Sequence, residues 1–312
     1  MTERLMLLDT ASLYFRAFFG LPDTIRAPDG TPVNAVRGLL EFIARLVGDY
    51  APTHLVACWD DDWRPQWRVD LIPSYKAHRV VDVVAGGVDV EETPDALVTQ
   101  IPMIRRVLAE LHISVVGAAD HEADDVIGSL ATQSTIPVDI VTGDRDLFQL
   151  VDDASDVRLV YTARGMSKLE VMTEEVIVGK YGVTPRQYAD FAVLRGDASD
   201  GLPGVAGIGE KTAANLLQEY ASLDGIIAAA ADVSSTMSST IRAKIAAAAE
   251  YLAVAPQVVE VVQGLDLGQF DAQIRPLSAE ARSSFAHLAD EWGLGSPATR
   301  ALRALGNDVP GT

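Results

Sequence analysis

Over the first half of the chain, short apolar runs alternate with amphipathic stretches, the pattern of an α/β sheet. Residues 5–8 predict a strand ending at Asp9, and residues 54–59 a second ending at Asp60. Between them, residues 33–50 place Val36, Leu39, Leu40, Ile43, Leu46 and Val47 on one stripe, the spacing of a helix with one buried face. Residues 94–112 predict a helix, 113–116 a strand, 122–133 a helix and 138–142 a strand. Beyond about residue 180 the pattern is wholly helical, with a Gly/Pro-rich turn at 201–209 and Ala-rich helices to about residue 253. No period points to a repeat architecture.

Acids follow each predicted strand: Asp9, Asp60, the cluster Glu122, Asp124 and Asp125, then Asp144 with Asp146. Ligands of open α/β sheets sit outside the carboxyl ends of the strands. A further pair, Asp197 and Asp200, opens the helical half. Crowded carboxylates without a cation raise one another's pKa and destabilise a fold. Oxygen-only ligands suit hard ions such as Mg²⁺ or Mn²⁺. Two such ions roughly 3.5–4 Å apart can activate water and stabilise both oxygens of an in-line phosphodiester displacement, with no Ser, Cys or His nucleophile. Each acid taken singly has another reading as a helix N-cap, easiest at Glu122, Asp124 and Asp146. Convergence from several strand ends favours the metal.

Composition changes this picture in two ways. The formal charge of −19 argues against general nucleic-acid binding, although metal-holding carboxylates present a cationic site once loaded. Any binding of DNA therefore relies on metals and local basic segments. The 48% hydrophobic content allows a sizeable core, and the single cysteine, Cys58, excludes an intramolecular disulfide or a thiolate zinc cluster. The N-terminal apolar run is too short for a signal peptide or membrane span, so a cytoplasmic protein without membrane contact, and a monomer, is expected.

Residues 60–94 are an irregular stretch in which Trp63, Trp67 and Tyr75 alternate with Arg64, Arg68, Lys76 and Arg79, the arrangement of stacking platforms with cations; the tryptophans are equally readable as core anchors. Tyr14, Phe15, Phe18 and Phe19 are expected in the core, Cys58 as a small buried hydrophobe, and Arg16 facing the acids. Gly204, Gly207 and Gly209, followed by Lys211 and Thr212, are not a P-loop, because Glu210 separates Gly209 from Lys211. A helix–turn–helix hairpin that brings backbone N–H groups to DNA phosphates fits better.

The segments LLDTASLYFRAFFG (7–20), TPVNAVRGL (31–39), SYKAHR (74–79), HEADDVIGSLA (121–131), VTGDRDLFQLV (141–151), YGVTP (181–185) and GDASDGLPGVAGIGEKTAANLL (196–217) together resemble the 5′ nuclease, or flap endonuclease, superfamily in its bacterial branch, which includes the N-terminal domain of DNA polymerase I. The resemblance implies a PIN-like, Rossmann-like, mostly parallel sheet flanked by helices. It divides the chain into a nuclease core (1–180), with an arch at 62–92, a helix-3-turn-helix subdomain (181–255) that grips duplex DNA, and a C-terminal segment (256–312). It implies that Asp9, Asp60, Glu122 and Asp124 serve one metal and Asp125, Asp144, Asp146, Asp197 and Asp200 a second. It further implies that Lys76 and Arg79 contact the scissile phosphate, and that a K⁺ ion sits on carbonyls of the glycine turn. Nine carboxylates exceed the need of two octahedral ions, which leaves room for a third Mg²⁺ or Mn²⁺.

The implied activity is that of a free-standing flap endonuclease and 5′→3′ exonuclease acting in replication and repair on branched or 5′-flapped DNA, RNA-primed DNA included, with a polymerase or clamp as conceivable partner. The sequence departs from the family at His121, where Tyr is usual, at Gly201, where Asn is common, and in the apolar residues 80–90. A PIN-like RNase would share the sheet-edge acids without the arch and glycine hairpin. A catalytically weak DNA-binding relative would lack second-metal acids, and Asp144, Asp146, Asp197 and Asp200 are all here.

Overall fold

A computed structural model describes residues 3–307. Its central sheet has six strands, β1 (Leu5–Asp9), β2 (His54–Cys58), β5 (Ser114–Val116), β6 (Val138–Thr142), β7 (Val157–Tyr161) and β8 (Glu170–Met172), in the order β5-β2-β1-β6-β7-β8. All neighbours pair in parallel except β7 with β8. Two further strands, β3 (Val80–Asp82) and β4 (Val90–Glu91), form a separate antiparallel hairpin. The helices are α1 (Thr10–Gly20), α2 (Asn34–Tyr50), α3 (Gln66–Leu71), α4 (Asp95–Val98), α5 (Gln100–Glu110), α6 (Ala123–Gln133), α7 (Glu174–Tyr181), α8 (Tyr188–Arg195), α9 (Glu210–Tyr220), α10 (Leu223–Ala231), α11 (Ser239–Ala247), α12 (Ala249–Val259), α13 (Ala279–Glu291) and α14 (Ser296–Ala304).

A parallel sheet covered on both faces needs strands that are apolar on both sides, and β1 is buried at every position. Leu5 and Leu7 join one core with Val56, Cys58, Ile140 and the helix α6 residues Val126 and Ile127. Met6 and Leu8 join the opposite core with Leu55, Ala57, the stripe of α2, and Phe285 and Leu302 from the C-terminal helices. The predicted α2 stripe is the buried face of that helix.

The predicted helix over 94–112 is two helices, α4 and α5, meeting at Thr99. Pro102 has no N–H to give the carbonyl of Val98, which interrupts the ladder there. The strands β7 and β8 and the β3–β4 hairpin were not predicted. Phe19, expected in the core, is 71% exposed at the end of α1, whereas Tyr14 and Cys58 are buried as expected.

Residues beyond α12 fasten the two halves together. Val262 donates its N–H to Asp125 (2.8 Å) and accepts from the Ser129 hydroxyl (3.0 Å), both on α6. Farther on, Leu55 and Ile274 extend the backbone pairing of β2 through Ala272 and Thr53. None of the helices among the described residues is long and apolar enough to cross a membrane.

Candidate active site

The acids at the strand ends are also caps, so the two readings of them merge. Asp9 closes β1 and caps α1, with Oδ1 accepting from Ser12 N (3.1 Å) and Oδ2 from the Thr142 hydroxyl (2.7 Å). Asp60 accepts from Ala123 N (2.9 Å), and Glu122 caps α6 in a box with Asp125. Caps of this kind pin each carboxylate to the sheet edge while leaving lone pairs free.

Asp9, Asp60, Glu122, Asp124 and Asp144 line one cavity of about 410 Å³, whose wall also holds Lys76 and Arg79. Burial raises the Asp9 carboxyl to about 7 against the Thr142 hydrogen bond, and Asp60 and Asp144 add to the rise. Asp124 is pushed well above the usual carboxylate range by burial and then by Asp144 and Asp9. Asp60 is raised by burial despite its bond from Ala123 and the charge of Lys76. Anions in this state ask for a cation.

A second group adjoins the first. Asp146 is raised well above its ordinary value by burial, then by Asp144, Asp200 and Asp197, with Arg195 opposing. Its Oδ1 is buried with no hydrogen-bond partner. Asp200 is also raised by burial, against Lys76. Burial pushes Asp197 up, but the Ser199 hydroxyl and backbone, Arg195 and Arg145 together hold it below the usual range. Arg195 NH2 lies 3.2 Å from Asp197 and 4.0 Å from Asp146, and Arg145 NH2 4.0 Å from Asp197.

Asp125 does not join either group. Arg68 clamps it with two hydrogen bonds of 2.8 Å, Val262 N takes Oδ1 and Glu122 N takes Oδ2 (3.3 Å). Burial alone would raise this carboxyl; the guanidinium holds it low. Successive helix residues differ by about 100° in direction, so Asp124 faces the cavity while Asp125 faces Arg68. The expectation that Asp125 binds metal meets a carboxylate already saturated. Arg68, expected as an exposed arch cation, is 3% exposed; Arg64 is equally committed, to Asp89 at 2.6 Å.

Lys76 has a left-handed backbone (φ 48°) and a buried ammonium paired with Glu122 Oε2. Burial would lower that lysine, but Glu122 overrides it and holds the ammonium well above its ordinary range. Tyr75 OH (2.6 Å) and Arg68 NH1 (3.1 Å) share the other oxygen of Glu122. Arg79 reaches the carbonyl of Ser199 (2.6 Å) and Asp200 Oδ1 (3.0 Å). Backbone contacts bring these cations to the 197–201 loop: Lys76 N donates to Asp200 O (2.9 Å) and the Ser74 hydroxyl to Gly201 O (2.8 Å). A Cβ on Gly201 would stand 2.1 Å from the Ser74 carbonyl, which explains glycine at this departure from the family pattern.

The glycine turn leads into α9 with Gly209 as its N-cap and no side-chain cap, so the first N–H groups of that helix are open. Gly204 packs so close to Gly196 that a Cβ would meet its nitrogen at 2.4 Å. Gly207 has φ 74° and its carbonyl accepts from Lys244 Nζ (2.7 Å). Lys211 is exposed and Thr212 half-buried in the first turn of α9. Arg16 lies beside Gly143 with its Nε buried and unpartnered. Glu91 in the cavity wall, Arg145 and Arg195 were missed as parts of the site, and Tyr75, expected as a stacking platform, instead hydrogen-bonds Glu122. The interleaving of arginine with acids at 144–146 and 195–197 was the available signal for the two arginines.

The residues fit hard divalent ions: oxygen donors only, several held in a raised, desolvated state, and an orphaned buried oxygen on Asp146. Among the described residues no three acids converge into a ready-made single-ion cage. They ring the cavity, as mutually repelling anions do.

Fold and site together define an α/β enzyme with an acid-walled cavity at the carboxyl edge of its sheet. The chain belongs to the 5′-3′ exonuclease family, matching its N-terminal resolvase-like domain over residues 4–182 and its C-terminal SAM fold over residues 183–280. It is 56% identical over 300 residues to a 5′-3′ exonuclease of Streptomyces coelicolor, covering 96% of this chain and 99% of that protein. The bacteriophage T5 D15 protein crystallised with metal ions superposes with a TM-score of 0.65 at 16% identity, covering 97% of this chain and 100% of that one. The catalytic core of Rad2 in complex with a DNA substrate gives 0.60 at 16% identity, over 98% and 92% respectively.

Proposed function

We propose that this nuclease is a structure-selective 5′ nuclease, a flap endonuclease and 5′→3′ exonuclease of replication and repair, acting on branched or 5′-flapped DNA. The observation that carries it is the single cavity where Asp9, Asp60, Glu122, Asp124 and Asp144 meet beside Lys76 and Arg79. Asp9, Asp60, Glu122 and Asp124 would hold one Mg²⁺ or Mn²⁺, and Asp144, Asp146, Asp197 and Asp200 a second. When bound, such ions supply activated water and stabilise the oxygens of an in-line displacement. Asp125 is assigned a positioning role: through Arg68 it fixes the helix start that bears Glu122 and Asp124.

In this reading Lys76 guards Glu122 in the free protein, and Arg79 flanks the position of the scissile phosphate, where its charge would offset charge developing in the transition state. Residues 62–92 form the arch of a PIN-like core (1–180). The open N–H groups of α9, with Lys211 and Thr212, grip duplex phosphates within a helix-3-turn-helix unit (181–255) without reading sequence. A K⁺ ion in this turn would draw on carbonyls other than that of Gly207, which Lys244 already holds.

The test incubates 5′-labelled flap, nicked and single-stranded oligonucleotides with Mg²⁺ or Mn²⁺, beside an Asp144→Ala/Asp146→Ala variant. Cutting of flaps near the single-strand junction by the unmodified chain alone is expected. Equal cutting by the variant removes the metal mechanism, and no cutting of any branched substrate removes the function.

A further inference from the structure

Asp146 is held from behind. Its Oδ1 is buried and makes no hydrogen bond, while both of its backbone groups are taken by other side chains. The N–H goes to Asp144 Oδ1 (2.9 Å), and the carbonyl accepts from Gln149 Nε2 (2.8 Å). The turn that carries it, Asp146–Leu150, is a 3-10 helix, a form with poorer hydrogen-bond geometry than an α-helix. Asp144, Asp200 and Asp197 all act on its carboxyl, so three anions push on a turn with little rigidity of its own.

Gln149 supplies rigidity from outside the turn. The same Nε2 donates to Val259 O (3.1 Å), and Oε1 accepts from Val261 N (3.1 Å). A cap on the last carbonyls of α12 would need only the first of these bonds. The full set makes the amide a bridge between Asp146 and the chain just past α12. Gln149 does not line the acid-walled cavity; it faces a separate one of about 400 Å³.

The chain past α12 is shared between the two acid groups. Val258 O accepts from Arg68 Nε (3.1 Å) and Val262 N donates to Asp125 (2.8 Å). Arg68 and Asp125 in turn hold the helix start that bears Glu122 and Asp124. Residues 258–262 thus fasten the first group at their two ends and the second at their middle. Groups far apart in sequence are set against one common segment.

We propose that Gln149 is a positioning residue for the second metal ion, fixing Asp146 against residues 258–262 and so against the acids that hold the first ion. This rests on the two-ion reading given above. Gln149 acts through the carbonyl of Asp146 and not on the ion itself. Removing partners of this kind, one bond away from a ligand, typically costs about 10- to 100-fold in metal affinity or activity.

The experiment compares the unmodified chain with Gln149→Met, which keeps the side-chain length and removes its three hydrogen bonds. The control is Gln263→Met, which removes only a bond from Thr132 to the same stretch of chain. Calorimetry with Mn²⁺ and no DNA reads the two ions in turn. Single-turnover cleavage of a 5′ flap is followed across Mn²⁺ concentration, and urea unfolding in EDTA follows the fold. Gln149→Met is expected to take the first ion as the unmodified chain does and the second about tenfold more weakly. Its maximal rate falls about tenfold at low Mn²⁺ and recovers at high Mn²⁺, with the half-saturating flap concentration unchanged. Gln263→Met behaves as the unmodified chain.

Unchanged affinity of Gln149→Met for the second ion overturns the proposal. So does an equal loss at both ions, a rate that added Mn²⁺ does not restore, or a chain that fails to fold, since each makes Gln149 a support of the whole domain. A matching loss in Gln263→Met overturns it as well, because the segment and not Gln149 would then be responsible. An unmodified chain that takes a single ion removes the two-ion reading and this proposal together. Failure to cut with both ions bound strikes the nuclease reading alone.

Discussion

At the sheet edge, Asp9 is buried and Asp60 and Asp124 are half-buried beside it, and Lys76 is the cation whose charge acts on Asp60 and Asp124. In the adjoining group, Asp146, Asp197 and Asp200 lie among Arg195, Arg145 and Arg79. The first group is carried by strand ends and helix caps, and burial raises its carboxyls. The second is carried by a 3-10 turn and a loop, and the chain supplies its own guanidinium groups. On the proposed reading, an ion at the second group would compete with arginine, and the two places should differ in affinity as well as in ligands.

The largest expected effect is on chemistry. Asp124→Asn should slow single-turnover cleavage of a 5′ flap by about a thousandfold, on the scale of removing a principal transition-state stabiliser. Asp197→Asn should cost far less, and equal losses would erase the distinction between the two groups. Next comes the clamp behind the sheet edge. Arg68→Leu leaves Asp125 buried and unpaired, which should cost about 3–5 kcal/mol in urea unfolding. Arg68→Leu with Asp125→Leu should recover most of that; a loss below ~1 kcal/mol for the single change would mean the pair is not closed off from water.

The third effect is on pH. Asp9, at about 7 in the fold, and Asp60 and Asp124, also raised, bind protons more tightly folded than unfolded. Their contribution to stability is present below the unfolded carboxylate range near 4 and is lost as pH climbs through the raised values, to about 7 for Asp9. In EDTA, the melting temperature should fall by several degrees between pH 5 and pH 8, and Mg²⁺ should restore more at pH 8 than at pH 5. A melting temperature that rises over that window would reverse the sign and place other groups in control. The smallest effect sharpens the comparison most directly. Arg195→Met should tighten Mn²⁺ binding at the second group by about tenfold, modest beside the Coulomb scale for charges some 4 Å apart. Calorimetry with unchanged affinity would show that Arg195 does not compete.

What the sequence revealed and what it hid follow from the range of the interactions. Asp9, Asp60, Glu122, Asp124 and Asp144 were legible because a strand, its end and the next cap are local events, and a parallel sheet collects its ends on one edge. The fate of Asp125 was not legible. It depends on Arg68, 57 residues away, and on Val262, 137 away. Arg68 in turn spends its Nε on the carbonyl of Val258, 190 residues distant. Lys76, expected to contact the scissile phosphate, has its ammonium facing Glu122 in a way that only the packing of Tyr75 and Trp63 determines. The strands β7 and β8 escaped notice although β7 is as long as β1, and the apolar stretch of 80–90, visible as a departure, was found to be exposed only in the structure.

The hydrogen bond between Val262 and Asp125 also sets an order of events during synthesis. All the strand-end acids are made by residue 146, yet the last of the bonds that fasten the helix start bearing two of them waits for residue 262. At roughly 5–20 residues per second, a nascent chain spends on the order of ten seconds with its acids assembled and its clamp half-made.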